Sequence, residues 1–207
     1  WNPATETAYG RSTATIVSSV WGLSIDEFLI DGTPDGTETL TGLGCSGGQI
    51  TDPASPGEVT VIAPTGVFMT DSGPGDGGVM GVIAPAAAID LSELTAAGRE
   101  YRSFQYKDGA TGIDDSRANW ARSDGAGGLT GGDYVDIETN VEMTTSLATI
   151  AFTAQAQPGI VNGTLTDSSG TSDMIFMINR IDGRFFIFGI GVDTNDGLPY
   201  NFVAIEQ

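Results

Sequence analysis

The sequence predicts an all-β protein: an antiparallel sandwich or barrel with a C-terminal five-strand meander and at most one short helix. Three observations carry this expectation. Short runs rich in β-branched and aromatic residues recur along the chain, as strands require. Gly (30) and Pro (9) in 207 residues lie above the ~12% average but below the ~25–30% of low-complexity chains, so the chain is globular and rich in turns. Leu, Ile, Val and Phe supply 48 residues, just above the ~20% below which chains tend to stay disordered.

Taken in order, the first half predicts strands at 13–20, 25–30, 37–43, 58–63, 66–70, 79–83 and 100–106. Pro64 and Gly66 separate two of them. One helix is expected at 91–97. Asp90 stands where it can accept from the early amides, Glu93 sits three residues on as in a capping box, and Gly98 ends the turn. Residues 107–133 show almost no apolar periodicity, which predicts a long polar loop. That loop is also where the chain would divide. A single β domain over 1–207 is nevertheless preferred, because the strands that follow need a second layer.

Those strands are the clearest: 147–156, 160–166, 172–181, 184–191 and 198–205. Asp182-Gly183 between two apolar runs is a strong hairpin signal, since both residues tolerate the positive φ of a type I′ turn. Phe176, Ile178, Phe186, Phe188 and Ile190 would share one face, and Ile175, Met177, Ile181, Phe185 and Ile187 the other. A sheet with one wet face alternates apolar with polar. Two apolar faces imply cover on both sides, by the N-terminal half, by barrel closure or by another molecule.

Charge narrows the partners. With 27 acidic and 8 basic side chains the chain stands at −19, so nucleic acid and anionic lipid surfaces are disfavoured. No run of ~18 apolar residues is present, so no membrane span is expected. A chain that begins at Trp1 reads as a mature product or a trimmed one; as a mature product it would favour a secreted, extracellular or cell-surface location. The single Cys45 rules out an internal disulfide. The absence of histidine excludes a Ser-His-Asp triad, a Cys-His pair and a His-ligated zinc or copper site.

The remaining motifs are weak as catalysts. Leu43-Gly44-Cys45 is like a lipobox, but residues 31–42 upstream are polar. Asp71-Ser72-Gly73 is like an aspartic-protease triplet, but Pro74 follows and no second triplet exists. The glycines of Ser72 to Gly78 lack the lysine of a phosphate loop. Carboxylate-rich loops suit calcium: Asp193, Asn195 and Asp196 foremost, then Asp31 with Asp35, and Asp114 with Asp115. Each such pattern is more often just an Asx-type turn. Asn162-Gly163-Thr164 fits a glycosylation sequon. Trp120 stands in the polar stretch beside Arg117 and Arg122, a cluster suited to stacking on a ligand or a partner chain, or to pinning the loop.

The meander over roughly residues 134–207, with glycine-rich hairpins and no catalytic signature, resembles the β-barrel modules of bacterial surface lipoproteins. That resemblance implies binding of host proteins or other surface ligands. It rests on pattern, so it assigns no residue a role.

The function expected is a non-enzymatic extracellular or cell-surface structural protein that acts by protein contact, in adhesion or self-assembly. Its partners would be copies of itself or another surface protein, with a glycan as a further option. Trp120, Arg117 and Arg122 are the expected contact residues. Trp1, Tyr9 and Ile16 would belong to an N-terminal arm that pairs with a neighbour's sheet edge. No cofactor is expected beyond calcium at Asp193, Asn195 and Asp196. The alternatives are a small-molecule or glycan-binding barrel, calcium-dependent or not, and a carboxylate-based glycoside hydrolase.

Overall fold

The computed structural model describes residues 8–17, 20–29, 33–62, 66–71, 78–109, 112–113, 117–136, 140–143, 148–167, 170–192, 197 and 199–207. The chain forms two compact units, Trp1–Ile83 and Ala84–Gln207. Both are antiparallel β, as expected.

The first unit is a seven-stranded sheet: β1 (Ala8–Val17), β2 (Val20–Leu29), β3 (Pro34–Ser46), β4 (Gln49–Asp52), β5 (Ser55–Ile62), β6 (Val67–Asp71) and β7 (Gly78–Val82). Their spatial order is their chain order, so every neighbour in sequence is a neighbour in space. One predicted strand, 13–20, in fact crosses a hairpin. Val17 pairs with Val20, and the β-branched residues on both sides belong to two strands. Leu43 and Ile50 are buried.

The second unit holds a short helix and a barrel. The helix α1 is Leu91–Leu94. The strands are β8 (Glu100–Gly109), β9 (Gly112–Ile113), β10 (Arg117–Ser123), β11 (Gly128–Asp136), β12 (Val141–Met143), β13 (Ala148–Gln157), β14 (Ile160–Asp167), β15 (Thr171–Ile181), β16 (Arg184–Val192) and β17 (Pro199–Glu206). The sheet runs β10-β11-β13-β14-β15-β16-β17-β8, and β8 pairs back onto β10. That pairing closes an eight-stranded barrel. The five C-terminal strands match the predicted meander to within a residue or two. At the β15–β16 turn, Asp182 has φ 50° and Gly183 φ 81°, the positive values a type I′ turn needs.

The expected polar loop at 107–133 is largely strand where it is described. Ala118, Ala121, Gly128 and Gly131 are small and weakly hydrophobic, so their alternation is faint in sequence. They still pair edge to edge: Ala121 faces Tyr101 on β8 and Gly131 on β11. The division between units falls at Ile83 and Ala84, upstream of this stretch.

Eight strands enclose just enough room for side chains to fill, and here they do. Val161, Met174, Phe176, Ile178, Ile187, Phe202 and Ala204 form one buried cluster with Leu94 and Tyr101. The strand register corrects the expected grouping of the faces. Ile178 opposes Ile187 and Arg180 opposes Phe185, so Phe185 and Ile187 join Phe176 and Ile178 inside. Ile190 opposes Ile175 and Phe188 opposes Met177 on the other face, where Ile175, Phe188 and Ile190 are also withheld from solvent. Barrel closure therefore explains only one of the two apolar faces.

The helix is shorter than the predicted 91–97, but its start is as expected. The Asp90 carboxylate accepts from the Ser92 and Glu93 amides. Gln155 holds the approach to it from both ends: its Oε1 accepts from the Ile89 amide at 2.9 Å, and its Nε2 donates to the Ile89 carbonyl at 3.0 Å. Leu94 is thereby placed in the barrel core, and its carbonyl accepts from the Tyr101 hydroxyl at 2.6 Å.

Candidate contact surface

Two clusters in the second unit carry the chemistry. One is on the outside of the seam where the barrel closes, and the other is at the end that α1 covers.

On β10, Ala121 is buried in the core cluster, so its neighbours Trp120 and Arg122 stand on the outer side of the strand. Trp120 lies directly across from Arg102 of β8. The Arg102 guanidinium stacks over the indole, 3.1 Å from the ring centroid. Arg122 reaches Glu100 instead, with Nη2 2.8 Å from Oε1, and is exposed. Phe104, two residues along β8 from Arg102, is 40% exposed, an unusual state for phenylalanine. The seam thus presents an indole, a phenyl ring and two guanidinium groups together.

Of the predicted contact residues, the structure brings Trp120 and Arg122 to one side of one strand. The backbone of Arg117 pairs with Gln105 and with Asp136 in the same seam. Its side chain lies outside the described set. Sequence reasoning missed Arg102 and Phe104. Their signal was available in Tyr101-Arg102-Ser103-Phe104, where the buried Tyr101 and Ser103 alternate with outward partners.

The second cluster is an ion network on an aromatic ring. Arg99 pairs with Glu206 and with Glu93, the latter at 3.4 Å. Arg180 meets the same Glu93 oxygen at 2.5 Å. Both guanidinium groups lie against Phe185, at 5.3 Å and 4.7 Å from its centroid. The other Glu206 oxygen accepts from the Phe185 amide at 3.0 Å. Glu206 is the one buried carboxylate among the described residues, and both of its oxygens are engaged. Burial, aided by the Glu206 charge, pushes the Tyr101 hydroxyl well above its usual range, so it stays a hydrogen-bond donor. Beside this network an open groove of about 480 Å³ is lined by Ala96, Ala97, Gly98, Arg99, Glu100, Glu206 and Gln207. Of its charged side chains, Arg99 pairs with Glu206, and Glu100 pairs with Arg122 outside the groove.

Tyr9 and Ile16 both stand in β1, which pairs along its length with β2 of the same chain. Residues 8–17 are therefore one arm of a hairpin, and among the described residues β2 is the strand that pairs with it. Trp1 and the calcium candidates Asp193, Asn195 and Asp196 lie outside the described residues, as do Asp31, Asp114 and Asp115. Among the described residues no group of three or more Cys, Asp or Glu is placed to hold a metal, and no helix is long and apolar enough to cross a membrane. Compared with known proteins, the chain matches no protein-family model and no curated protein.

Proposed function

We propose that this is a non-enzymatic contact protein, an adhesive or self-assembling subunit working outside the cell or on its surface. The observation that carries the reading is the filled barrel. Phe176, Phe202, Ile178 and Ile187 occupy the volume in which an eight-stranded barrel could otherwise hold a ligand. Recognition then falls to outer surfaces. The seam around Trp120, Arg102 and Phe104 has the aromatic and arginine content of interface hot spots. The engaged oxygens of Glu206 support a structural use for that carboxylate rather than acid–base work.

The experiment that separates this from a ligand-binding barrel is thermal unfolding in the presence of small apolar ligands and a glycan panel. Wild type is expected to keep its midpoint throughout. Phe176→Ala, which opens a ring-sized cavity, is expected to gain stability from an apolar ligand such as benzene. A saturable rise of several degrees in wild type would replace the contact reading with the barrel one.

A further inference from the structure

The first unit is an open sheet, and one of its edges is unusual. Among the described residues β1 pairs with β2 alone, so one whole side of a ten-residue strand offers its amides and carbonyls without a described partner. Edge strands are normally blunted by proline, by charge or by shortness. β1 is long, holds no proline and no carboxylate, and carries Arg11 as its only charge. The contrast is sharp within Trp1–Ile83, which holds ten acidic residues and no other cation. An edge free of carboxylates in a chain at −19 is where two copies can approach with least repulsion.

We propose that β1 is a homotypic docking edge. Two copies add their β1 strands to each other antiparallel about a twofold axis, with Thr13 facing Thr13 of the second copy. The proposal rests on the self-assembly reading above and names its surface.

The geometry argues for a second β1 rather than another strand. The opposite edge of the sheet, β7, has only five residues, so a β1-to-β7 contact would leave half of β1 unpaired. Symmetric pairing uses nearly the whole strand and closes the assembly at two. The register follows from the hairpin. A two-residue connection makes Val17 and Val20 a hydrogen-bonded pair, and such pairs alternate along the ladder. Ala8, Gly10, Ser12, Ala14 and Ile16 therefore direct their backbone groups to the free side. Antiparallel pairing centred on Thr13 sets Ser12 against Ala14, Gly10 against Ile16 and Tyr9 against Val17 of the second copy. Thr–Thr and aromatic–β-branched pairs are favourable across strands. Arg11 meets Thr15, so no like charges oppose each other.

The test is light scattering on the full chain, with two edge variants. Ala14→Pro removes one amide from the free side and none from the β1–β2 ladder. Wild type is expected at twice the chain mass, and Ala14→Pro at one chain with unchanged strand content by circular dichroism. In a Cys45→Ser background, Thr13→Cys is expected to crosslink under mild oxidation, since opposed residues of a non-hydrogen-bonded pair lie within disulfide reach. Tyr9→Cys is expected not to crosslink. If Ala14→Pro fails to fold, the cysteine pair decides. A wild type larger than one chain, unmoved by Ala14→Pro and not crosslinked at Thr13, overturns this edge and leaves self-assembly standing. A wild type at one chain mass at every concentration overturns both.

Discussion

Phe176 on β15 and Gly189 on β16 face each other across the ladder, and the ring occupies the space a side chain at 189 would need. A Cβ at Gly189 would lie 2.8 Å from two Phe176 ring carbons and 3.1 Å from the Met174 methyl. Gly163, on the other flank of β15, is equally close to the ring at 2.8 Å. Within the filled barrel, the Phe176 ring rests on neighbouring strands stripped of side chains at those points. Gly189→Ala is therefore expected to lower stability by about 1–3 kcal/mol through overpacking. Adding Phe176→Leu should return part of that loss, a coupling read from urea unfolding of the double-mutant cycle.

The two ion pairs at opposite surroundings should differ in worth. Glu206→Ala leaves the Phe185 amide without its acceptor and the Arg99 guanidinium with only the Glu93 contact at 3.4 Å, in a largely buried setting. It is expected to cost about 3 kcal/mol. Arg122→Ala breaks an exposed pair with Glu100 and is expected to cost less than about 1 kcal/mol. Denaturant midpoints of both variants at pH 7 check the ranking. Equal losses would mean the barrel end is more open to water than described.

Asp124 makes stability depend on acid. Its Oδ1 accepts from the Ala126 amide at 2.6 Å and the Gly128 amide at 3.0 Å, and these bonds, Ala126 first, hold its carboxyl below the ordinary carboxylate range. A depressed folded value means the contribution is complete above the unfolded value of about 3.8 and is lost as pH falls through the folded one. Because the group is exposed, the contribution is below about 1 kcal/mol. Asp124→Asn should trail wild type at pH 7 and converge on it as pH falls through the lowered folded value, measured by urea unfolding from neutral into acid pH. A gap that ignores pH would contradict the assignment.

Tyr101 should stay protonated for as long as the barrel is folded. Burial is the chief cause of its raised value, with the Glu206 charge second. For a group neutral when protonated, a raised folded value means stability falls as pH climbs past the unfolded value of 10.0. Absorbance at the phenolate band is expected to show the same folded-state amplitude in wild type and Tyr101→Phe, with the missing tyrosine appearing only after unfolding. Loss of the bond to the Leu94 carbonyl should cost Tyr101→Phe about 1 kcal/mol.

Legibility in the sequence followed the size of the side chains. The meander from Ala148 to Glu206 was readable because large β-branched and aromatic residues mark its strands and Asp182-Gly183 marks a turn. The seam strand β10 was read as loop, because Ala118 and Ala121 carry too little hydrophobicity to show alternation. The N-cap at Asp90 was visible, yet the helix stops after Leu94 because Thr95 leaves helical geometry, at φ −101° and ψ 16°. Trp120 and Arg122 were found through their nearness in sequence. Arg102, eighteen residues away, joins Trp120 only once β8 pairs with β10. Pairing register across a barrel seam is set by closure of the whole sheet, and no local pattern near Arg102 records it.

The central claim is that the protein acts by contact between chains, and the mass of the native particle tests it most directly. Light scattering on the wild type at two concentrations, with and without a calcium chelator, is the measurement. The account predicts a mass that is a multiple of 21.4 kDa, reached more fully at the higher concentration and indifferent to the chelator. A particle of 21.4 kDa at both concentrations would contradict self-assembly.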